Sequence, residues 1–251
     1  MAIRKQAEAL WGAWVGRLPQ TIRERVDLLG GARKAAEAIG VHPGTVRRWV
    51  RDEARAMPDN VAKAVKEMGG VDQAAQAAGV KPRTVKEWMR AERRGHTPGT
   101  RQAAHIGKLT QAATDKHLRA SQRLQGNQAK LHDRMLASPT ARRAAISPQR
   151  ASRMQTSGAH LTITAKVTID TGRRGDTRWR DINMNFRDDA MREPTQAWLG
   201  GDDAGAMQKL SDAFGQHYAP GTGWNFDEIR SMEIGRFNPT SGGVFPDPDQ
   251  Y

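Results

Sequence analysis

The chain contains one 22-residue pattern twice, at an offset of 39 residues. Residues 30–51 read GGARKAAEAIGVHPGTVRRWVR, and residues 69–90 read GGVDQAAQAAGVKPRTVKEWMR. A glycine in each copy, Gly40 or Gly79, is placed to end a helix, because glycine adopts left-handed backbone angles without strain. A proline, Pro43 or Pro82, follows where the next helix should begin, and its missing N–H costs nothing there. The pattern predicts two tandem helix-turn-helix units.

The residues that the copies share fall at the turn and at positions predicted to be buried. The identical pairs include Ala35/Ala74, Ala36/Ala75, Gly40/Gly79, Val41/Val80, Pro43/Pro82, Thr45/Thr84, Val46/Val85, Trp49/Trp88 and Arg51/Arg90. A repeat that keeps its core and varies its surface indicates one fold used twice with different contacts. Within this pattern, Trp49 and Trp88 are predicted to anchor the two cores.

The second helix of each copy presents polar and basic residues on the side predicted to be exposed. These residues are His42, Thr45, Arg47, Arg48 and Arg51 in the first copy, and Lys81, Arg83, Thr84, Lys86 and Arg90 in the second. A basic helix of this kind fits the major groove, so these side chains are predicted to contact double-stranded DNA. The alternative is an alanine-rich helical repeat without DNA contact, and the basic faces favour the first interpretation.

A further helix is predicted before the second and third helices of each copy. Thr21 and Glu24 form a capping-box pattern for a helix through Leu29, and Asp59 can cap a helix through Met68. Each unit is then a bundle of three helices. A preceding amphipathic helix, carrying Leu10, Trp11, Trp14, Val15 and Leu18, is expected to pack against the first unit. Residues 1–96 are therefore predicted to be a DNA-binding region.

Charge divides the chain into a basic N-terminal part and a mildly acidic C-terminal part. Residues 1–157 hold 30 Lys and Arg against 13 Asp and Glu, whereas residues 158–251 hold 10 against 14. A basic N-terminal part with helix-turn-helix units indicates a polyanionic partner, most simply DNA. The chain has no cysteine, which excludes disulfides and thiolate metal sites. It shows no membrane-spanning run and no signal peptide, so a cytoplasmic protein without membrane contact is expected.

Residues 97–157 are predicted to be a basic helical linker or arm. Residues 101–157 carry 11 Lys and Arg but only Asp115 and Asp133 as acids. One or two long, partly exposed helices are expected up to about Leu136, and the Ser-Pro pairs at 138–139 and 147–148 mark a loose arm. The arm could contact phosphates along a duplex or serve as a solvated linker, and the composition leaves both open.

Residues 158–237 have the pattern of a small α+β domain with the order ββαβ. His160–Asp170 and Arg178–Phe186 alternate apolar and polar residues, which predicts an antiparallel hairpin. A short helix or turn at 191–198, a helix at Ala204–Tyr218 and a third strand at Glu228–Ile234 follow. One sheet covered by a helix accounts for this order. Residues 238–251, rich in Pro, Gly and Asp, are predicted to be a disordered tail.

The order of these parts resembles the telomere-protecting terminal proteins of linear actinobacterial chromosomes and plasmids. The motifs are a Gly-x-x-x-Ala-x-x-x-x-Gly-Val-x-x-x-Thr-Val segment at 31–46, Arg-Trp-Arg-Asp-Ile at 178–182, and a helix whose pattern comprises Gly201, Asp202, Leu210, Ala213, Phe214, His217 and Tyr218. The tandem duplication and the long basic middle depart from that family.

The resemblance implies a protein that caps 5′ DNA ends and primes replication through a threonine hydroxyl bonded to DNA. It implies a bacterial, nucleoid-associated location. The partners would be duplex DNA, terminal single-stranded DNA, and a DNA polymerase or telomere-associated protein. The family's linked threonine lies between the first strand and the Arg-x-Arg segment, where this chain offers Thr171 and Thr177. Thr177 is slightly favoured, because Asp176 and Arg178 flank it.

The sequence contains no recognisable catalytic constellation, metal site or cofactor motif, so a non-enzymatic protein is expected. The segment Asp170–Asp181 could equally be a solvated hairpin loop, in which Asp, Gly, Thr and Arg are ordinary residues. Two hypotheses remain. The first is a terminal protein that serves as a protein primer. The second is a transcriptional regulator, partition protein or phage-encoded DNA-binding protein whose C-terminal domain forms a homodimer.

Overall fold

The computed structural model describes residues 2–121, 126–170, 175–187, 190–218 and 223–245. Over these residues the protein is mainly helical, with a four-stranded mixed sheet near its C-terminal end. The first seven helices are α1 (Ala2–Val15), α2 (Ile22–Leu28), α3 (Ala32–Ile39), α4 (Pro43–Ala56), α5 (Val61–Met68), α6 (Val71–Ala78) and α7 (Pro82–Arg93). The next four are α8 (Thr100–Ser121), α9 (Gly126–Leu136), α10 (Pro139–Ala145) and α11 (Pro148–Thr156).

The C-terminal part contains four strands and two helices. They are β1 (Ala159–Asp170), β2 (Gly175–Phe186), α12 (Arg192–Leu199), α13 (Asp203–Tyr218), β3 (Gly223–Gly235) and β4 (Gly243–Phe245). The order across the sheet is β3-β1-β2-β4. Strand β1 is antiparallel to both neighbours, and β4 runs parallel to β2.

The chain forms two compact units, which do not follow the predicted domain boundaries. Unit 1 comprises Met1–Pro19, Arg25–Ile39 and Lys130–Tyr251, and unit 2 comprises Gln20–Glu24 and Gly40–Ala129. The second copy of the repeat lies entirely in unit 2. The first copy is divided at Gly40, between α3 and α4.

The core of unit 2 is formed by α5, α6, α7 and α8. Small alanines of α6 and larger residues of α5 and α7 meet in one apolar cluster, into which Leu109 and Ala113 of α8 insert. Side chains of α8 also reach helix ends: His105 Nδ1 lies 2.9 Å from the carbonyl of Ala78, and Lys116 Nζ donates to that of Met68 at 3.0 Å. The sequence predicted α8 to be a partly exposed basic arm, but its apolar face is a component of this core.

Helix α1 packs against α12 and the end of α9 within unit 1, a unit that also contains Arg25–Ile39 of the first predicted helix-turn-helix bundle. The ring centroids of Trp11 and Trp14 each lie 5.6 Å from that of Trp198 in α12. Trp11 Nε1 donates a hydrogen bond of 2.9 Å to the carbonyl of Leu136 at the end of α9. Periodicity correctly predicted an amphipathic helix, but its partner comes from residues more than 100 positions away.

The segment predicted to be a loose arm is folded into two short helices. Ser138 and Ser147 are N-caps, whose hydroxyls accept hydrogen bonds from Ala141 N and Arg150 N. The proline after each serine occupies the first turn. The Ser-Pro pairs therefore start helices, because serine accepts a backbone N–H and proline has none to satisfy.

A buried arginine, Arg142, holds this segment in place. Its guanidinium donates to the carbonyls of Leu136 and Trp198 and pairs with Asp203, with Nη1 2.7 Å from Oδ1. The side chain of Arg142 has no exposed surface. Burial raises the pKa of the Asp203 carboxyl, and the charge of Arg142 opposes this shift. Arg142 thus cannot contact DNA phosphates, although composition grouped it with residues that could.

The sheet has one covered and one open face. The covered face carries Leu161, Ile163 and Val167 of β1, and Phe214 of α13 lies 5.1 Å from Phe186, measured between ring centroids. Strand β3 begins five residues before the predicted Glu228, because Trp224 and Phe226 continue the buried alternation.

Strand β4 lies in the segment predicted to be a disordered tail. Val244 pairs with Asn185, whose amide donates to the carbonyl of Ser241. The rest of the predicted tail, residues 246–251, lies outside the described residues.

Candidate nucleic-acid interface

The basic residues of α4 lie on its exposed side, and Val46 is fully buried. Arg47, Arg48 and Arg51 are all exposed, while Thr45 is half-buried. The turn before α4 has the predicted form: Gly40 has φ +70°, and Pro43 is in the first turn. The helix phase therefore directs three guanidinium groups to solvent from a single face.

His42, also predicted to contact DNA, has a local structural role. It is the N-cap of α4, and its Nδ1 accepts a hydrogen bond of 3.1 Å from Gly44 N. The ring is exposed. This hydrogen bond holds the imidazole at the start of the helix.

The corresponding residues of α7 have the same arrangement with different chemistry. Lys81, Arg83, Lys86 and Arg90 are exposed, Thr84 is half-buried, and Val85 is fully buried. Gly79 has φ +68°, and Pro82 is in the first turn, as in the first copy. Arg83 forms a 3.0 Å ion pair with Glu87, one turn further along. This pair leaves α7 with fewer uncompensated cations than α4 has.

The two copies share a contact that sequence reasoning missed. Glu53, in α4, accepts hydrogen bonds from the backbone N–H groups of Ile22 and Arg23, at 2.7 and 3.2 Å. Glu92, in α7, accepts the equivalent bonds from Val61 and Ala62, at 2.9 and 3.1 Å. In each copy the helix that carries the basic face is thereby tied to the start of an earlier helix. Glu53 and Glu92 are 39 residues apart, which is the offset of the repeat, and this spacing could have predicted that they make equivalent contacts.

The predicted starts of the first helices are correct in one copy and shifted in the other. In the capping box before α2, Thr21 Oγ1 accepts from Glu24 N and the Glu24 carboxylate accepts from Thr21 N. Before α5 the cap is Asn60, whose side chain accepts from Lys63 N. Asp59, the predicted cap, forms an exposed ion pair with Lys63, which lowers the pKa of its carboxyl.

The two tryptophans predicted to be core anchors differ in burial. Trp88 is 5% exposed and belongs to the core of unit 2, against which Ile106 of α8 also packs. Trp49 is half-buried. The prediction is therefore correct for Trp88 and only partly so for Trp49.

Thr177 lies in strand β2, not in the loop where the sequence placed it. It is paired with Thr168, and the two hydroxyl oxygens are 2.7 Å apart. Thr168 also donates to Asp227 of β3, at 2.5 Å. A hydroxyl has a single proton to donate, so Thr177 must donate to Thr168. The three groups form a chain, in the order Thr177, Thr168 and Asp227, on the open face of the sheet. Thr171, the other candidate, lies outside the described residues.

Trp179 and Arg230 form a cation–π pair on the strands that flank β1, close in sequence or register to Thr177. Trp179 lies two residues along the strand and is 40% exposed. The guanidinium of Arg230 is 4.2 Å from its ring centroid. Arg178 and Arg180 both pair with Asp176 at 3.0 Å, so the predicted partners of Thr177 bind each other. Asp227 and Arg230 were not predicted, because strand register brings them close from about 50 residues away.

Two other kinds of site are absent from the described residues. No group of three or more His, Asp or Glu side chains is arranged there to hold a metal ion. None of the helices in the same ranges combines the length and apolar character needed to cross a membrane.

The chain was also compared with known proteins. No protein-family model, no curated protein and no solved structure matches it.

Proposed function

We propose that this protein binds double-stranded DNA through α4 and α7. The observation that carries the proposal is the repeated geometry: each helix follows a left-handed glycine, starts at a proline, buries a valine, and exposes cations. A helix with this layout suits entry of its N-terminal half into a major groove. The two copies act as helix-turn-helix units in tandem on one chain.

The two units read unlike sequences. Arg47 and Arg48 in α4 correspond to Lys86 and Glu87 in α7, so the hydrogen-bond donors offered to base edges differ. Arginine reads guanine bidentately, whereas lysine contributes a point charge. Units joined head to tail favour two different adjacent subsites, since a palindrome requires two identical units.

Selection of binding sites from random duplex DNA, followed by footprinting, tests this proposal. Arg47→Ala is expected to weaken binding by about 1–3 kcal/mol and relax specificity at one position, if this side chain reads a base edge. The matched control is Arg33→Ala in α3, which removes an exposed arginine outside both candidate helices. A symmetric palindromic footprint that persists after neutralisation of α7 would contradict the tandem model.

We further propose that the protein is a terminal protein of the kind it resembles, and that Thr177 is its nucleotide acceptor. The supporting observation is the hydroxyl chain to Asp227. In the reaction, Thr177 Oγ bonds to the α-phosphorus of a nucleoside triphosphate and pyrophosphate leaves. The threonine proton passes to Thr168 as the Thr168 proton moves to Asp227. The polymerase supplies the metal ions, and Arg230 provides a nearby cation for the phosphates.

Intact-mass measurement of protein purified from its native cells, after DNase treatment, tests the acceptor role. A retained nucleotide on the Thr177 peptide is expected, and Thr177→Val should abolish it. Thr162→Val is the matched control, because it removes another exposed hydroxyl from the same sheet face. A nucleotide elsewhere would overturn the assignment of Thr177. An unmodified native protein would favour the alternative, a DNA-binding regulator or partition protein.

A further inference from the structure

A small cavity in unit 1 is lined by three arginines. It lies between α11 and the end of β3, with a volume of about 220 Å³. Its lining residues are Arg150, Arg153, Met154, Gly158, Ile234, Gly235 and Arg236. Three of the described lining residues are arginines, and none of them is acidic.

Arg150 is the anchored member of this group. Its Nη2 donates to the carbonyl of Ala13 at 2.9 Å and to that of Ile234 at 2.6 Å. These two neutral acceptors orient the guanidinium but do not compensate its charge. Burial, and to a lesser extent the nearby charge of Arg153, lower the pKa of Arg150. Both effects disfavour an isolated cation at this position.

Within the described ranges, neither Arg150, Arg153 nor Arg236 has a carboxylate partner at ion-pair distance. Arg142, at the start of the same helical segment, is instead neutralised by Asp203. The contrast matters because a partly buried cation normally has a counter-charge. The described residues supply no such counter-charge to the three arginines.

We propose that this cavity is a phosphate-binding site, with Arg150, Arg153 and Arg236 as its ligands. A phosphate group fits this arrangement because guanidinium forks donate in pairs to its oxygens, and its negative charge offsets the repulsion among three cations. The cavity is large enough for one phosphate group with water, and too small for a segment of duplex DNA. The lining residues all belong to unit 1, whereas α4 and α7 belong to unit 2.

Isothermal titration of the full chain with inorganic phosphate, at constant ionic strength in chloride, tests the site. Arg153→Gln and Arg236→Gln should each weaken binding by roughly tenfold or more, because each removes a charge-assisted hydrogen-bond donor. Arg236 is exposed, so its replacement leaves the fold intact. The matched control, Arg143→Gln, removes an exposed arginine of α10 and should bind as the unaltered chain does.

Two thymidine dinucleotides, one with and one without a 5′-phosphate, distinguish the source of the phosphate. Both are too short to span the proposed duplex interface. Preference for the 5′-phosphorylated form, lost in Arg236→Gln, would identify a terminal phosphate. Equal binding of both forms, again lost in the variant, would identify a backbone phosphodiester. Binding of inorganic phosphate alone would identify the free ion. All three outcomes support the site. Absence of phosphate binding, or binding that survives in both arginine variants, overturns it.

Discussion

Glu53 and Glu92 make the same contact in two places 39 residues apart. Each carboxylate accepts hydrogen bonds from two consecutive backbone N–H groups at the start of a helix, α2 or α5. The first N–H groups of a helix have no partner within the helix, and a carboxylate also interacts favourably with the positive helix N-terminus. The two copies therefore repeat these hydrogen bonds as well as the amino-acid sequence.

We predict that Glu92→Ala destabilises the protein by about 1–2 kcal/mol, because it leaves two N–H groups of α5 without their acceptor. Urea unfolding followed by far-UV circular dichroism measures the change. Glu37→Ala, which removes an exposed carboxylate from α3, is the control and should change stability by less than about 0.5 kcal/mol. Equal effects of the two substitutions would show that the Glu92 contact contributes little.

The two repeat tryptophans should respond differently to truncation. Trp88→Ala is expected to cost about 3–5 kcal/mol, because it opens a cavity in the core of unit 2. Trp49→Ala should cost clearly less, since its side chain is only half-buried. Thermal unfolding of both variants gives the comparison. A larger loss for Trp49 would mean that this residue is more deeply packed in solution than its exposure indicates.

Arg142 and Arg143 are neighbours with opposite environments, which makes them a matched pair. Arg142→Ala should cost about 3–5 kcal/mol, because it leaves Asp203 and two buried carbonyls without their donor. Arg143→Ala, on the exposed side of α10, should stay within about 0.5 kcal/mol. Chemical denaturation reports both. Similar stability of the two variants would contradict the structural role of Arg142.

Helix α8 can contribute to DNA binding only through its outer face. Lys108 and Arg119 are exposed there. Their joint replacement by alanine should weaken binding similarly on all duplex sequences and reduce the slope of log K against log salt by up to about 2, if both contact phosphates. Gln111→Ala, an exposed neutral position of the same helix, should leave the slope unchanged. An unaltered slope in the double variant would restrict α8 to its role in the core.

The sequence by itself determined the local features of this protein. Gly40 and Gly79 have left-handed backbone angles, Pro43 and Pro82 begin helices, and Thr21 caps α2. The alternation in β1 likewise predicted its buried and open faces. These features were predictable because each depends on residues within about one helical turn or one strand, where steric and hydrogen-bonding preferences act directly.

Tertiary structure decided which of these elements meet. The pairing of Trp11 with Trp198, the burial of Arg142 against Asp203, and the contact of Thr168 with Asp227 each join residues at least 59 positions apart. An apolar stripe or an isolated arginine in the sequence does not specify its partner, because many surfaces could satisfy it equally well. Only the packed chain selects one, since burying a tryptophan or a charge is favourable only where the opposing surface fits and supplies the missing acceptors.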